Sequence, residues 1–243
     1  SKTGGHLASN LGIVEITLAI HKVFSTERDR LVFDVGHQSY VHKILTGRKD
    51  GFDTLRQLGG MCGFLCPEES IHDACVSGHA SNSVSVALGM ARARTLQEED
   101  YSVISVIGDG ALTGGLAYEA LGDAGQSQEP LIVILNDNEM SITKNVGATS
   151  LHLARLRLKP RYLHLKGVYR RIMKRIPFGQ SIDNVLHQLK NSFKRMFLPS
   201  SLFENMGFVY LGPASGHDLK YMLYLLELAR DLKKPVLIHL TTK

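Results

Sequence analysis

Short apolar runs rich in β-branched residues alternate along the chain with stretches of helical periodicity, and this alternation constrains the fold more than any other feature. The runs at 101–107 and 131–136 are almost entirely apolar, as expected for strands that are buried on both faces. Between them, residues 114–124 have helical spacing. A repeated strand–helix pattern predicts an α/β fold, with an open, mainly parallel β-sheet and helices on both of its faces.

The 243 residues are enough to bury a sizeable core, and we treat residues 1–243 as one domain whose two ends are cut from a longer protein. Asn10 is predicted to cap the first helix, and Ser81 or Asn82 the second. Residues 150–200 are predicted to form a basic insertion or flap, irregular in its first part. Strands are predicted at 31–35, 101–107, 131–136, 208–211 and 236–240, and helices at 11–24, 82–96, 114–124, 182–197 and 218–232.

The net charge of +5 is concentrated in one segment. Residues 151–180 contain nine Lys or Arg and no Asp or Glu, and the rest of the chain has a net charge of −4. The segment is open to two interpretations, a solvated flap or a surface that steers phosphate groups. Since no nucleic-acid-binding motif accompanies the charge, we do not predict a nucleic-acid partner.

The cysteine content and the hydropathy pattern bear on the compartment. Three cysteines in a chain of this length favour a reducing environment. No apolar stretch of membrane-spanning length and no signal-peptide pattern is visible in the sequence. We therefore expect a cytoplasmic protein without a membrane partner.

Two polar motifs follow neighbouring predicted strands. Gly108-Asp109-Gly110-Ala111 ends one strand, and Asn138 lies 29 positions after Asp109, at the end of the next strand. The carboxyl ends of parallel strands line the ligand crevice of such sheets. Carboxylate and amide oxygens suit Mg²⁺, and the two glycines allow a phosphate group to approach the backbone. Each motif alone is also typical of an ordinary turn, but the pair at this spacing favours a Mg²⁺–diphosphate site.

This pair resembles the thiamine-diphosphate motif, and the surrounding sequence resembles one family, the 1-deoxy-D-xylulose-5-phosphate synthases of the transketolase superfamily. The resemblance runs over essentially the whole chain in one register. The matching stretches are Gly5-His6-Leu7-Ala8-Ser9-Asn10-Leu11-Gly12, Asp34-Val35-Gly36-His37-Gln38, 42–48, Gly78-His79-Ala80-Ser81, 106–111, 135–142, 145–148, Gly212-Pro213 and Gly216-His217-Asp218.

The resemblance implies thiamine diphosphate and Mg²⁺ as cofactors. Asp109 and the Asn138 side chain would ligate the metal, together with the backbone carbonyl of Met140. The backbone of Gly110 and Ala111 would contact the diphosphate.

The resemblance also implies roles for two histidines and for one turn. His6 and His37 would be catalytic, since neutral imidazoles near pH 7 donate to a carbonyl or accept from a hydroxyl. His37 and the turn Gly78-His79-Ala80 would line the rest of the cofactor site.

The chain departs from the family pattern in two places. The turn reads Ala80-Ser81-Asn82-Ser83 where Ser-Ser-Thr-Ser is usual, so a hydroxyl near the cofactor is missing. The stretch 62–67 replaces a segment that is normally basic and poor in cysteine. Its cysteines fall in the string Cys62, Cys66, His72 and Cys75, formally a zinc set of unusual spacing, and free buried thiols are the alternative.

The family's reaction joins pyruvate to D-glyceraldehyde 3-phosphate with loss of CO₂, and it serves isoprenoid, thiamine and pyridoxal biosynthesis. The resemblance implies a homodimer and a pyrimidine-binding domain that this sequence lacks, which supplies a catalytic glutamate. Glu15, Glu119 and Glu139 do not match that glutamate, so we expect the chain to be inactive alone. Two alternatives stay open: a split transketolase-like subunit that acts with a partner chain, and a non-catalytic module that binds a nucleotide or another partner.

Overall fold

The computed structural model describes residues 4–138 and 202–243. Within them, five parallel strands form one sheet in the order β1-β2-β3-β5-β4. The predicted helix at 182–197, the insertion at 150–200 and Met140 lie outside the described residues. The strands are β1 (Arg30–Phe33), β2 (Val103–Gly108), β3 (Ile132–Asp137), β4 (Val209–Ser215) and β5 (Val236–Thr241).

Helices cover both faces of the sheet, so the predicted α/β class is confirmed. Helices α4 and α5 pack on one face, whereas α2 and α7 pack on the other and against each other. Two short 3₁₀ turns, Lys49–Thr54 and Ala111–Thr113, complete the regular structure of the described residues. The helices are α1 (Leu7–Leu11), α2 (Val14–Val23), α3 (Tyr40–Leu45), α4 (Ser83–Leu96), α5 (Gly115–Ser127), α6 (Leu202–Asn205) and α7 (Leu219–Leu232).

The side chains of the central strands alternate between the two cores. In β3, Ile132 and Ile134 belong to the core beneath α2 and α7, and Val133 and Leu135 belong to the core beneath α4 and α5. Because both faces are covered, the strand is apolar over its first four residues rather than alternating with polar ones. Its polarity changes at Asn136, where the strand reaches the edge of the sheet.

The order of the strands sets which face each helix covers. The chain moves from β1 through β2 to β3 in one direction, and α4 and α5 cover the same face. It then returns inward from β4 to β5, so a right-handed crossover places α7 on the opposite face.

The predicted start of the first helix, at residue 11, is wrong. Residues 11–24 do not form one helix, because the short helix α1 ends at Leu11 and α2 begins at Val14. Asn10 therefore does not cap a helix; it lies inside α1 with its side chain buried. The second predicted cap has the right position, since Asn82 directly precedes α4, but its side chain makes no capping hydrogen bond.

No helix within residues 4–138 and 202–243 combines the length and the apolar character that a bilayer crossing requires.

A network of buried charged and polar side chains joins α2 and α3 to the loop that precedes α4. Asp73 accepts two hydrogen bonds from Arg48, at 2.8 and 2.7 Å, and one from His42 Nε2 at 3.0 Å. Since His42 donates through Nε2, its neutral ring accepts from His21 through Nδ1, and that distance is 2.9 Å. Burial, with the nearby His42, lowers the pKa of His21 to about 4.

This network predicts a pH-dependent stability. Unfolded His21 binds a proton near pH 6.5 and the folded protein only near pH 4, so the unfolded state holds more protons between these values. The free energy of unfolding therefore falls as the pH is lowered from 6.5 to 4. We expect the loss due to His21 to be on the order of 1 kcal/mol, because its partial exposure reduces the full effect of the shift.

Urea unfolding of the protein at pH 7 and pH 5 measures this contribution. His21→Gln is expected to lose less stability than the wild type between the two pH values. Thr17→Val removes a buried hydrogen bond to the carbonyl of Ile13 in the same helix, and it should lower stability equally at both pH values. Equal losses for His21→Gln and the wild type would contradict the assignment.

Candidate active site at the carboxyl edge of the sheet

The ends of β2 and β3 lie side by side, as the sequence predicts. Gly108 is paired with Asn136 across the two strands, and the N–H of Asp109 donates to the carbonyl of Asn136 at 3.2 Å. Asp109 directly follows β2 and is only 2% exposed, whereas Asn138 directly follows β3 and is half-buried. Each strand therefore delivers one oxygen-bearing side chain to the same edge of the sheet.

The end of β1 is joined to the turn that precedes α4. The buried carboxylate of Asp34 accepts the backbone N–H groups of Ser81 at 2.8 Å and Ser83 at 3.1 Å. The N–H of Val35 donates to the carbonyl of His79 at 3.3 Å. A carboxylate from a distant strand thus takes the place of a local cap, and it places the His37 loop beside the Gly78–Ala80 turn.

The same turn is joined to the segment after β2. The hydroxyl of Ser81 donates to the carbonyl of Ala111 at 2.7 Å. A Cβ added at Gly114 would lie 2.2 Å from this hydroxyl, so only glycine fits there without a shift. The structure therefore brings together the Gly78–Ala80 turn, the His37 loop and the Asp109–Ala111 segment, which the family resemblance implies belong to one site.

His6 and His37 face each other although they are 31 residues apart. Their ring centroids are 5.2 Å apart and the planes are inclined by 73°. Burial, and then the neighbouring His6, lower the pKa of His37, and Asp34 opposes this in part. His37 Nδ1 is buried and has no hydrogen-bond partner among the described residues. A buried ring nitrogen of this kind is available to a ligand.

A cavity of about 300 Å³ opens beside Asn138 at the ends of β3, β4 and β5. Its lining includes the side chains of Asp137, Asn138 and His217, and His217 lies 3.2 Å from the carboxylate of Glu15 at the start of α2. The lining residues are Asp137, Asn138, Ser215, His217, Thr241, Thr242 and Lys243.

The last residues of β3 are anchored from both sides. Asn136 Oδ1 accepts the hydroxyl of Thr242 at 2.7 Å. On the opposite face, Asp137 Oδ2 lies 2.9 Å from His239 Nε2, and His239 Nδ1 lies 2.7 Å from the hydroxyl of Tyr210. Burial, with the nearby Asp137, raises the pKa of Tyr210, so its hydroxyl stays protonated. These contacts fix the course of the strand immediately before Asn138.

The three cysteines are free thiols, as the alternative to a zinc site predicts. They are half-buried, whereas that alternative predicted buried thiols. Within residues 4–138 and 202–243, no three His, Cys, Asp or Glu side chains are placed to hold a metal ion together, so the Cys62, Cys66, His72 and Cys75 set is not assembled. His72 instead shares a hydrogen bond of 2.9 Å with the hydroxyl of Thr26. Burial, with Asp73 nearby, also raises the pKa of Cys75 and so disfavours the thiolate that a zinc ion needs.

Several residues shape this site through contacts that the sequence alone did not predict. Asp34 and Ser81 fall inside the quoted motifs, yet their partners lie about 30 to 50 residues away. Asp137 is joined to His239, and Asn136 to Thr242, across more than 100 residues. The only local signal was a polar residue at the end of an apolar strand.

Comparison with known proteins gives the family. The profile described as 1-deoxy-D-xylulose-5-phosphate synthase matches residues 1–242. The 1-deoxy-D-xylulose-5-phosphate synthases of Pelotomaculum thermopropionicum and Clostridium acetobutylicum are 54% and 50% identical to the whole chain. The chain covers 38% and 39% of their lengths, so it spans well under half of these relatives.

Solved structures support the same fold. The transketolase of Campylobacter jejuni matches 98% of this chain with a TM-score of 0.64 and 24% identity, over 34% of its own chain. A transketolase of Pichia stipitis in complex with sedoheptulose 7-phosphate matches 98% of this chain and 33% of its own, with a TM-score of 0.65 and 21% identity. At this identity the likeness concerns the fold alone. Together with the profile match over residues 1–242, the comparisons show that this chain belongs to the 1-deoxy-D-xylulose-5-phosphate synthase family.

Proposed function

We propose that this chain is the diphosphate-binding domain of a 1-deoxy-D-xylulose-5-phosphate synthase. The observation that carries the proposal is the pairing of β2 with β3, which brings Asp109 and Asn138 to the same edge of the sheet. The family membership supports it. The alternative of a split transketolase-like subunit needs the same half-site and differs only in the chain that completes it.

The residues at this edge fit Mg²⁺ and thiamine diphosphate. Asp109 offers a buried carboxylate and Asn138 an amide oxygen, which are the hard ligands that Mg²⁺ prefers. The carbonyl of Met140, proposed as a third ligand, belongs to the residues outside the described part of the chain. Gly110 and Ala111 start the 3₁₀ turn before α5, where backbone N–H groups favour a diphosphate.

The buried nitrogen of His37 also fits a ligand in this crevice. Its Nδ1 lacks a partner among the described residues, and the Gly78–Ala80 turn lies beside the loop that carries it. Thiamine diphosphate would supply the carbanion chemistry, and the protein would orient the reactants and exclude water.

The two histidines would act on protons at the substrate. The lowered pKa of His37 keeps its ring neutral at pH 7, so that it accepts a proton from a hydroxyl or donates one to a carbonyl. His6 is exposed and 5.2 Å from His37, so it is placed to meet a substrate that enters from solvent. In the complete enzyme pyruvate would lose CO₂, and its remaining two carbons would join the aldehyde of D-glyceraldehyde 3-phosphate.

The second half of the site would come from another domain. Glu15 is paired with His217, which lines the cavity beside Asn138, and Glu119 is exposed on α5, so neither is assigned the role of that glutamate. We propose that the glutamate needed for cofactor activation lies in a pyrimidine-binding domain, in the same chain or in a partner. Two large apolar side chains of α1, the helix that follows His6, are exposed, as a docking face requires: Leu7 and Leu11.

The remaining proposals concern assembly and the basic segment. We propose a homodimer in the cytoplasm and a biosynthetic role in isoprenoid, thiamine and pyridoxal supply, on the strength of the family alone. A non-catalytic module would have no reason to keep Asp109, Asn138, His6 and His37 together. Residues 151–180 would steer phosphate groups or form a solvated flap.

The first prediction concerns cofactor binding. Thiamine diphosphate is expected to bind the protein in calorimetry only when Mg²⁺ is present, because the metal joins the diphosphate to Asp109. Asp109→Ala should weaken binding by about 100-fold or more, since it removes the charged ligand.

Asp123→Ala is the matched control, since Asp123 is an exposed residue on α5 that pairs with Arg92. It should bind like the wild type. Binding that needs no Mg²⁺, or that survives Asp109→Ala in a folded protein, would contradict the proposed half-site.

The second prediction concerns activity. With Mg²⁺, thiamine diphosphate and both substrates, these 243 residues alone should release no CO₂ above the protein-free background, because they span only 38% of the P. thermopropionicum relative and the glutamate is proposed to lie in another domain. Fusion to the remaining domains of the P. thermopropionicum relative, which is 54% identical over this part, is expected to restore turnover.

The same fusion carrying Asp109→Ala should stay inactive. Turnover by the 243-residue chain alone would show that the second domain is not required, and it would overturn this part of the proposal.

A further inference from the structure

We propose that Asn10 is a positioning residue that holds His6 and His37 at a fixed separation and angle. This inference rests on the proposed function only in the roles assigned to the two histidines. The contacts themselves are independent of any cofactor.

The side chain of Asn10 joins three backbone groups from two distant segments. Its Nδ2 donates to the carbonyl of His6 at 2.9 Å and to the carbonyl of His37 at 2.7 Å. Its Oδ1 accepts the N–H of Tyr40 at 2.9 Å. The residue is 4% exposed, so water does not compete for these groups.

The orientation of this amide follows from its partners. Two carbonyl oxygens face one end of the group and an N–H faces the other. Rotating the amide by 180° would place its oxygen against both carbonyls. The hydrogen bonds therefore require a side chain with two donors and one acceptor at this length, which asparagine supplies.

Few other hydrogen bonds among the described residues hold the two segments that Asn10 joins at a fixed distance from each other. His6 lies just before α1, and His37 follows Gly36, which has a φ of +91° and leads the chain out of β1. A second link between the segments is the hydrogen bond of 3.3 Å from Gln38 Nε2 to the carbonyl of Ser9. It is longer and does not reach either histidine.

Loss of Asn10 would act mainly on the His37 loop. The carbonyl of His6 also accepts the backbone N–H of residue 10, so it keeps a partner in any variant. The carbonyl of His37 would lose the bond that ties it to α1. The loop would then be free to move away from His6, and the His37 ring would gain contact with water.

Histidine side-chain NMR of the protein tests this inference without any cofactor. In Asn10→Asp and Asn10→Ala, the pKa of His37 should rise towards its ordinary value, since burial and His6 lower it in the wild type. Asn10→Asp keeps the shape of the side chain and the acceptor for the N–H of Tyr40. When ionised, it can no longer donate hydrogen bonds to the carbonyls of His6 and His37. The thiamine-diphosphate affinity of both variants should fall about tenfold.

Thr17→Val is the control, since it also removes a buried hydrogen bond but in α2, away from both histidines. It should lower stability yet leave the His37 titration and the cofactor affinity unchanged. Folded Asn10 variants in which His37 titrates as in the wild type would overturn the inference.

The wild type gives an independent test if both Asn10 variants fail to fold. Its Asn10 side-chain NH₂ protons should exchange slowly with solvent and show contacts to both segments, and rapid exchange would overturn the inference. A wild type that binds no cofactor would refute the proposed function, and the NMR result would still decide the role of Asn10.

Discussion

The carboxylate of Asp34 is the interaction on which the edge of the sheet depends. It is 3% exposed, and a buried charge is tolerated only when it is hydrogen-bonded. Two backbone N–H groups at the start of α4 meet that need, and they fix the turn before the helix. Ser81 in this turn then reaches Ala111, so one charge organises the loops after β1 and β2 and the turn before α4.

Unusual backbone angles occur at the same place. Val35 and Ser81 have φ values of +60° and +72°, which are uncommon for residues other than glycine. Gly36 follows Val35 with a φ of +91°, and a Cβ there would be 2.2 Å from the hydroxyl of Ser77. Such conformations persist where the surroundings determine them fully, and they cluster at binding sites. The strain and the converging polar groups therefore fall at the same edge of the sheet as the proposed site.

The sequence predicts the parts of this structure that depend on local pattern. The apolar runs locate the strands to within a few residues. Asp109 and Asn138 follow two of these runs, and the carboxyl ends of parallel strands share one edge of a sheet, so the sequence also predicts that both residues lie at that edge. Asn10 shows the limit of that reasoning, because its local context is typical of a helix cap and its real partners are His6, His37 and Tyr40. Contacts such as those of Asp34, or of Asp137 with His239, arise only once the sheet has formed.

The proposed site is one half of a crevice, to which β2 and β3 contribute the proposed metal ligands and the segments before α1 and after β1 contribute a pair of histidines. A crystal structure of the protein with Mn²⁺ in place of Mg²⁺ and with thiamine diphosphate tests this arrangement most directly. The account predicts an anomalous peak within bonding distance of the Asp109 carboxylate and the Asn138 amide oxygen, with the diphosphate against Gly110 and Ala111. An anomalous peak elsewhere, or a diphosphate bound away from this edge, would contradict it.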